Sequence, residues 1–165
     1  MSEIEVIRCS WGNSKNSLYQ KYHDQEWGKL NLDSTYLYEM LVLESFQSGL
    51  SWETILNKRE NFRKAFANFD YHNAAINNAK ILVKLEKENR TFEEFLTELI
   101  PKPIIHHPQK MEDIPASDDL STQISKEMKK MGFKFVGPVT IYSFLQAVGL
   151  INDHLDTCSF KNGGL

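Results

Sequence analysis

Apolar residues recur along this chain at intervals of three and four, broken by short polar, glycine or proline punctuation, and that rhythm predicts helices. In Ser34–Ser48, Leu37, Met40, Leu41 and Glu44 fall on one helical stripe, with Asp33 and Ser34 available as caps and Gly49 as a stop. Ser51 can cap the next stretch, in which Trp52, Ile55, Leu56, Phe62 and Phe66 recur until Phe69 and Asp70. Asn73 to Glu88 repeats the pattern through Ile76, Ala79, Leu82 and Val83. Thr91 and Glu94 form a capping box that opens another helix, which Pro101 ends. Asp118 to Met131 places Leu120, Ile124 and Met128 on one face and stops at Gly132, and Pro138 suits the first turn of a helix running to Val148.

Between Pro101 and Ala116, Pro103, Pro108 and Pro115 fix turns and remove backbone donors, so this stretch is expected to be the main loop. No alternating Val/Ile-rich segment stands between turn signals, and no repeat or low-complexity tract interrupts the chain. The expectation is an all-α fold in a single domain spanning 1–165.

Composition changes this picture little. At 165 residues, 41% hydrophobic and 25% charged, the chain can bury a core of its own. No apolar run approaches the roughly 18 residues of a membrane span, and Met1–Arg8 mixes charge with Ile and Val, so a soluble, cytoplasmic protein with no membrane partner is expected. The formal net charge of -3 argues weakly against nucleic acid, although Lys126, Lys129, Lys130 and Lys134 form a local positive group that the sum conceals.

Four groups of residues could carry chemistry. Cys9 and His23 lie near one end and His154 and Cys158, at i and i+4, near the other. A disulfide, two inert buried thiols with core histidines, or a shared metal site all fit that layout. Two thiolates and two imidazoles would make a closed tetrahedral zinc shell with no position for water. Glu44 sits on the stripe that the core should claim, where an unpaired carboxylate would be costly, so it needs a local donor or a ligand. Trp11, Tyr22, Trp27 and Trp52 crowd into the first third of the chain beside it, a set that could be plain core or the walls of a pocket for a flat cationic ring. Met131–Pro138 joins two helices as a hairpin whose amides, with Lys134 and Gly137, could seat a phosphate, or could simply be a tight turn. Asp153 could steady an oxocarbenium ion or be a surface residue beside a metal ligand.

Taken in order, Arg8-Cys9-Ser10-Trp11, Tyr22 through Gly28, Leu43 through Trp52, Gly132 through Gly137, Tyr142 through Ala147, and Asn152-Asp153-His154 with Cys158 resemble the 3-methyladenine DNA glycosylase I family. The resemblance covers nearly the whole chain from Cys9 onward. It implies a helix-hairpin-helix glycosylase fold with one structural Zn2+ on Cys9, His23, His154 and Cys158. It implies a base pocket built from Glu44, Tyr22 and Trp52 and shaped by Trp11 and Trp27, with Gly49 and Leu50 filling the gap left by a flipped nucleotide. The implied activity is hydrolysis of the N-glycosidic bond of 3-methyladenine in alkylated double-stranded DNA by a monomer, with free 3-methyladenine as the product ligand and an abasic site left behind.

The resemblance is interrupted once. Between Phe69-Asp70 and Ala75-Ile76, an additional helix and turn of the family are absent, and the join at Tyr71-His72-Asn73 is abrupt. Two competing readings have definite requirements. A zinc-stabilised binding module would grip DNA or a damaged base without turnover, and a zinc hydrolase would need an open coordination position that four ligands deny.

Overall fold

The computed structural model describes residues 5–47, 49–72 and 77–162. Ser48 and the stretch 73–76, where the abrupt join and the start of the Asn73–Glu88 helix were expected, lie outside the described residues. Seven α-helices carry the described fold: α1 (Ser17–Gln25), α2 (Ser34–Phe46), α3 (Trp52–Ala65), α4 (Asn77–Lys87), α5 (Phe92–Leu99), α6 (Asp119–Lys130) and α7 (Pro138–Ala147). The sequence signals hold at their ends. Asp33, Ser51 and Asp118 accept from Tyr36, Thr54 and Ser121 amides, and Thr91 and Glu94 complete their capping box.

Helix α2 is the central element. Its residues Leu37 through Glu44 are all buried, so it is covered on every side rather than along one stripe, with α7, α3 and α5 packed around it. That burial sets a problem at two carboxylates. Glu39 is met by Arg59 and Arg63 from α3, each with Nε 2.8 Å from Oε1. Burial pushes the Glu39 carboxyl up, but hydrogen bonds from the two arginines outweigh it and hold the carboxyl below its usual range. Glu44, at the other end of the helix, has no such partner.

Helices α6 and α7 pack as a pair joined by the turn Met131–Gly137. Phe133 and Val136 bury themselves under the turn, Phe92 of α5 stacks between Phe133 and Phe144, and Ser125 Oγ donates to the Val136 carbonyl at 2.6 Å. From α4, Asn78 brackets Lys134, accepting from its amide at 2.8 Å and donating to its carbonyl at 3.0 Å. At the far end of α7, Gly149 has a φ of +75°, and a Cβ there would meet the Lys29 and Leu30 backbone at 2.0–2.3 Å. Only glycine lets the α7 terminus close onto the segment after α1.

One feature departs from the all-α expectation. Ile104–Ile105 (β1) pairs in parallel with Ile151–Asn152 (β2). Two residues are too few for alternation to register, and the partners are remote in sequence, so no local signal announces the pair. The pairing pins the Pro101–Ala116 loop beside the residues that follow α7. Helix α1, an element not assigned from the hydrophobic pattern, is capped by Asn16, which accepts from the Leu18 amide.

Candidate active site

Helix α1 presents neighbouring residues to two different places. Tyr22 turns toward a cavity and His23, about 100° further round the helix, turns toward a cluster at the chain's ends. The cavity has a volume of about 220 Å³ and is lined by Trp11, Tyr22, Trp27, Trp52 and Glu44. All five residues expected to form a base pocket are therefore brought together. Tyr22 and Trp52 face each other with ring centroids 5.3 Å apart, and Trp11 stands edge-on to Trp27 at 5.0 Å.

Two buried polar atoms in this wall, Glu44 Oε2 and Trp52 Nε1, have no hydrogen-bond partner among the described residues. Burial pushes the Glu44 carboxyl up to about 8. The same burial, with Glu44 nearby, raises the Tyr22 phenol well above its usual range, so it stays protonated. A buried acid without a counter-charge, between aromatic faces and open to the surface, is arranged to receive a flat ring that carries positive charge and a hydrogen-bond donor.

Polar residues of α7 and the proline-rich loop complete the cavity and had not been singled out from the sequence: Ser143 and Gln146, with Gln47, and Met111 and Ile114 as apolar lining. A signal existed. Ser143 and Gln146 stand three apart on the mostly apolar α7, as Glu44 on α2 and Gln47 at its C-cap do. A second recess shares Glu44, Gln47 and Ser143 and is lined also by Val139 and Thr140 in the first turn of α7.

The outer rim holds the other expected residues. Gly49 has a φ of +79°, and Leu50 beside it is 48% exposed. Gly137 precedes α7 and has no side chain to cap its first turn. Lys134 is exposed, with Lys126, Lys129 and Lys130 exposed along the preceding helix. Its own amide, however, is already taken by Asn78. The amides open to an anion are those of the first turn of α7.

Behind the aromatic wall, Cys9, His23, His154 and Cys158 converge although they come from the two ends of the chain. All four are buried, and their ligand atoms lie within 4.8 Å of one another. Cys9 Sγ is 3.7 Å from His154 Nδ1, and Cys158 Sγ is 3.3 Å from His154 Nδ1 and 3.7 Å from His23 Nε2. The edges of a tetrahedral Cys2His2 zinc site measure roughly 3.5 Å given ordinary bond lengths. The outer nitrogens are held in the way ligating imidazoles are: His23 Nδ1 by Asp24 at 2.8 Å and His154 Nε2 by the Trp27 carbonyl at 2.9 Å. Gly12 is needed for this packing, because a Cβ there would lie 2.6 Å from the His23 ring. Burial pushes Cys9 up to about 12 and His154 down to about 4, so a thiolate at Cys9 calls for a cation.

The cluster and the cavity share a wall. Trp11 stands edge-on to His23 at 4.7 Å, and Trp27 stands edge-on to His154 at 4.5 Å. Asp153, by contrast, does not line the cavity. It is 1% exposed, and Tyr142, Gln146 and His106 all point donors at it, which leaves neither the surface reading nor an open carboxylate for a developing charge.

Comparison with known proteins agrees with this arrangement. The sequence pattern of the Methyladenine glycosylase family matches residues 11–75 and 72–162, two stretches that meet where the join at Tyr71-His72-Asn73 lies. The DNA-3-methyladenine glycosylase of Haemophilus influenzae is 36% identical over 183 aligned positions, covering 94% of this chain and 98% of its own. That alignment is longer than the 165 residues here, so the relative carries residues this chain lacks. A crystal structure of 3-methyladenine DNA glycosylase I superposes with a TM-score of 0.88 at 37% identity, covering 92% of this chain and 98% of that one. A tyrosine-to-phenylalanine variant of 3-methyladenine DNA glycosylase I, in complex with 3-methyladenine, gives 0.87 at 34% identity over 93% and 97%. Fold, cavity and sequence together make this chain a member of the methyladenine glycosylase family.

Proposed function

We infer that this protein is a DNA-3-methyladenine glycosylase, an enzyme that hydrolyses the N-glycosidic bond of 3-methyladenine in alkylated double-stranded DNA and releases the free base. The observation that carries the reading is Glu44, a buried carboxylate with an unpartnered oxygen inside an aromatic cavity. Relatives with this family's fold bear that activity in their names, and one was solved with 3-methyladenine bound.

The chemistry follows from where charge sits. Methylation at N3 makes adenine cationic, which weakens its bond to the sugar and lets the base depart neutral, so the enzyme needs little acid catalysis. Glu44 ionises at a cost in the empty cavity. A cationic base supplies the missing counter-charge and a donor, while neutral adenine supplies no charge, so the cost of burial becomes discrimination. Tyr22 and Trp52 hold the ring by its faces, with Trp11 and Trp27 closing the far wall. Among the described residues no lysine lines the cavity, which suits base removal without strand cleavage and an abasic product.

The rim suits a base taken out of its stack. Leu50, beside the Gly49 turn, would fill the vacated space, and the first turn of α7 with Gly137 and the Lys134 side chain would hold the strand by its phosphates, as in a helix-hairpin-helix. Cys9, His23, His154 and Cys158 would hold one Zn2+ whose contribution is to cross-link the two ends of the chain. With all four positions taken by protein and an aromatic wall between cluster and cavity, a hydrolase role for that site is disfavoured.

The test is release of free 3-methyladenine from methylated duplex DNA by the purified protein. Release is expected, and Glu44→Gln is expected to lower its rate about 100-fold or more, in the range of a lost buried charge contact at a reacting centre. No release from folded protein would replace the reading with a DNA- or base-binding module.

A further inference from the structure

Asp153 has one carboxylate and three donors. Tyr142 Oη and Gln146 Nε2 both reach Oδ2 at 2.7 Å, and His106 Nδ1 reaches Oδ1 at 2.6 Å. A carboxylate only accepts, so the amide nitrogen of Gln146 is the atom that faces it, and the orientation of that amide is fixed. Tyr142 and Gln146 stand four apart on α7 and meet Asp153 from one side of the helix. Gln146 also lines the cavity that Glu44 lines. Gln146 gives one of its two amide N–H groups to Asp153, which fixes the orientation of the amide, and to its carbonyl oxygen no described residue donates.

We propose that Gln146 is a specificity-determining residue: Asp153 holds its carbonyl toward the cavity as a fixed acceptor that favours a base edge bearing an amino group and opposes one bearing a carbonyl. The inference rests on the glycosylase reading of this cavity. Glu44 selects for positive charge, which N3-methylated adenine and N3-methylated guanine share. Charge therefore cannot separate them. The two differ at C6, where adenine carries an amino donor and guanine a carbonyl acceptor. Glu44 and the Gln146 carbonyl are both acceptors, so an amino edge presented to them is satisfied and a carbonyl edge meets lone pairs. Asp153 is thus a positioning residue, acting through Gln146 and touching no substrate.

The experiment is single-turnover release of both bases from one preparation of duplex DNA that contains 3-methyladenine and 3-methylguanine, by the wild type and by Gln146→Met. Methionine keeps the length of the side chain and removes donor and acceptor, leaving Asp153 with Tyr142 and His106. The expected result is a roughly 10-fold fall in 3-methyladenine release with 3-methylguanine little changed or faster, so that the ratio of the two rates shifts about 10-fold, as loss of one hydrogen bond read by the site would produce. Gln146→Ala carries the same ratio should methionine overpack the wall. A ratio unchanged in both variants, including a parallel fall in both rates with a lowered melting temperature, overturns the role of Gln146 alone. A wild type that releases neither base overturns the glycosylase reading and this inference with it.

Discussion

Glu39 and Glu44 occupy the same helix, are buried to a similar degree, and end in opposite states because of what faces them. Arginines on α3 hold Glu39 ionised. Nothing does this for Glu44, whose carboxyl is pushed up to about 8 by burial alone. The stability consequence has a definite sign. The folded state holds the Glu44 proton more tightly than the unfolded chain does, so stability is fullest below the ordinary carboxylate pKa near 4.5 and declines as pH rises through about 8. Glu44→Gln should therefore leave thermal stability near pH 5 almost unaltered and raise it by an amount of order a few kcal/mol near pH 9, measured by chemical denaturation at the two pH values. The catalytic counterpart runs the other way, since kcat/KM for 3-methyladenine should climb as Glu44 ionises and the glutamine variant should lack that limb. An equal gain at both pH values would remove burial of charge as the cause.

At the scale of elements, capping and spacing made α2, α3, α5, α6 and α7 legible, because each carries its own start and stop signals. What could not be read locally was the partner of each element. The stripe of α2 predicted one buried face, and the fold buries all of Leu37–Glu44 because α3, α5 and α7 surround it. The strand pair was missed for the same reason, its two halves being meaningful only together. The α6–α7 turn also depends on a distant element, for Asn78 of α4 occupies both the amide and the carbonyl of Lys134. Asn78→Ala should cost about 1–2 kcal/mol for two lost hydrogen bonds and weaken binding of undamaged duplex DNA severalfold. It should leave the selectivity between methylated bases unaltered. Equilibrium unfolding and fluorescence anisotropy on the same variant would separate these effects, and unimpaired DNA binding would show that the turn needs no support from α4.

At the scale of the molecule, the sequence yielded the identities of the pocket residues through family resemblance, and the structure supplied their relation. Spacing alone does not match Cys9 and His23 to His154 and Cys158, because the chain has three other histidines, His72, His106 and His107, that offer the same ligand atoms. The structure places those three elsewhere, with His106 on Asp153 and His107 on Asp156. It also puts the cluster directly behind Trp11 and Trp27. If the cluster holds zinc, removing the metal with a chelator should lower the melting temperature by several degrees or more. It should also broaden the tryptophan environment and reduce base release together with stability, all reversed by added Zn2+. A chelator-treated protein that has demonstrably lost metal yet melts and reacts as before would remove the clamp from the account.

That shared wall also bears on how the protein comes into being. A ribosome delivers Trp11, Tyr22, His23 and Trp27 early and His154 and Cys158 late, and the edge-on contacts of His154 with Trp27 and His23 form only when both ends exist. Helices α2 and α3 can begin to pair during synthesis, but the back of the pocket cannot be braced until the last of these residues emerges. A chain halted before His154 would carry every aromatic lining residue and Glu44, and would still be unable to hold them as a receptacle for a damaged base.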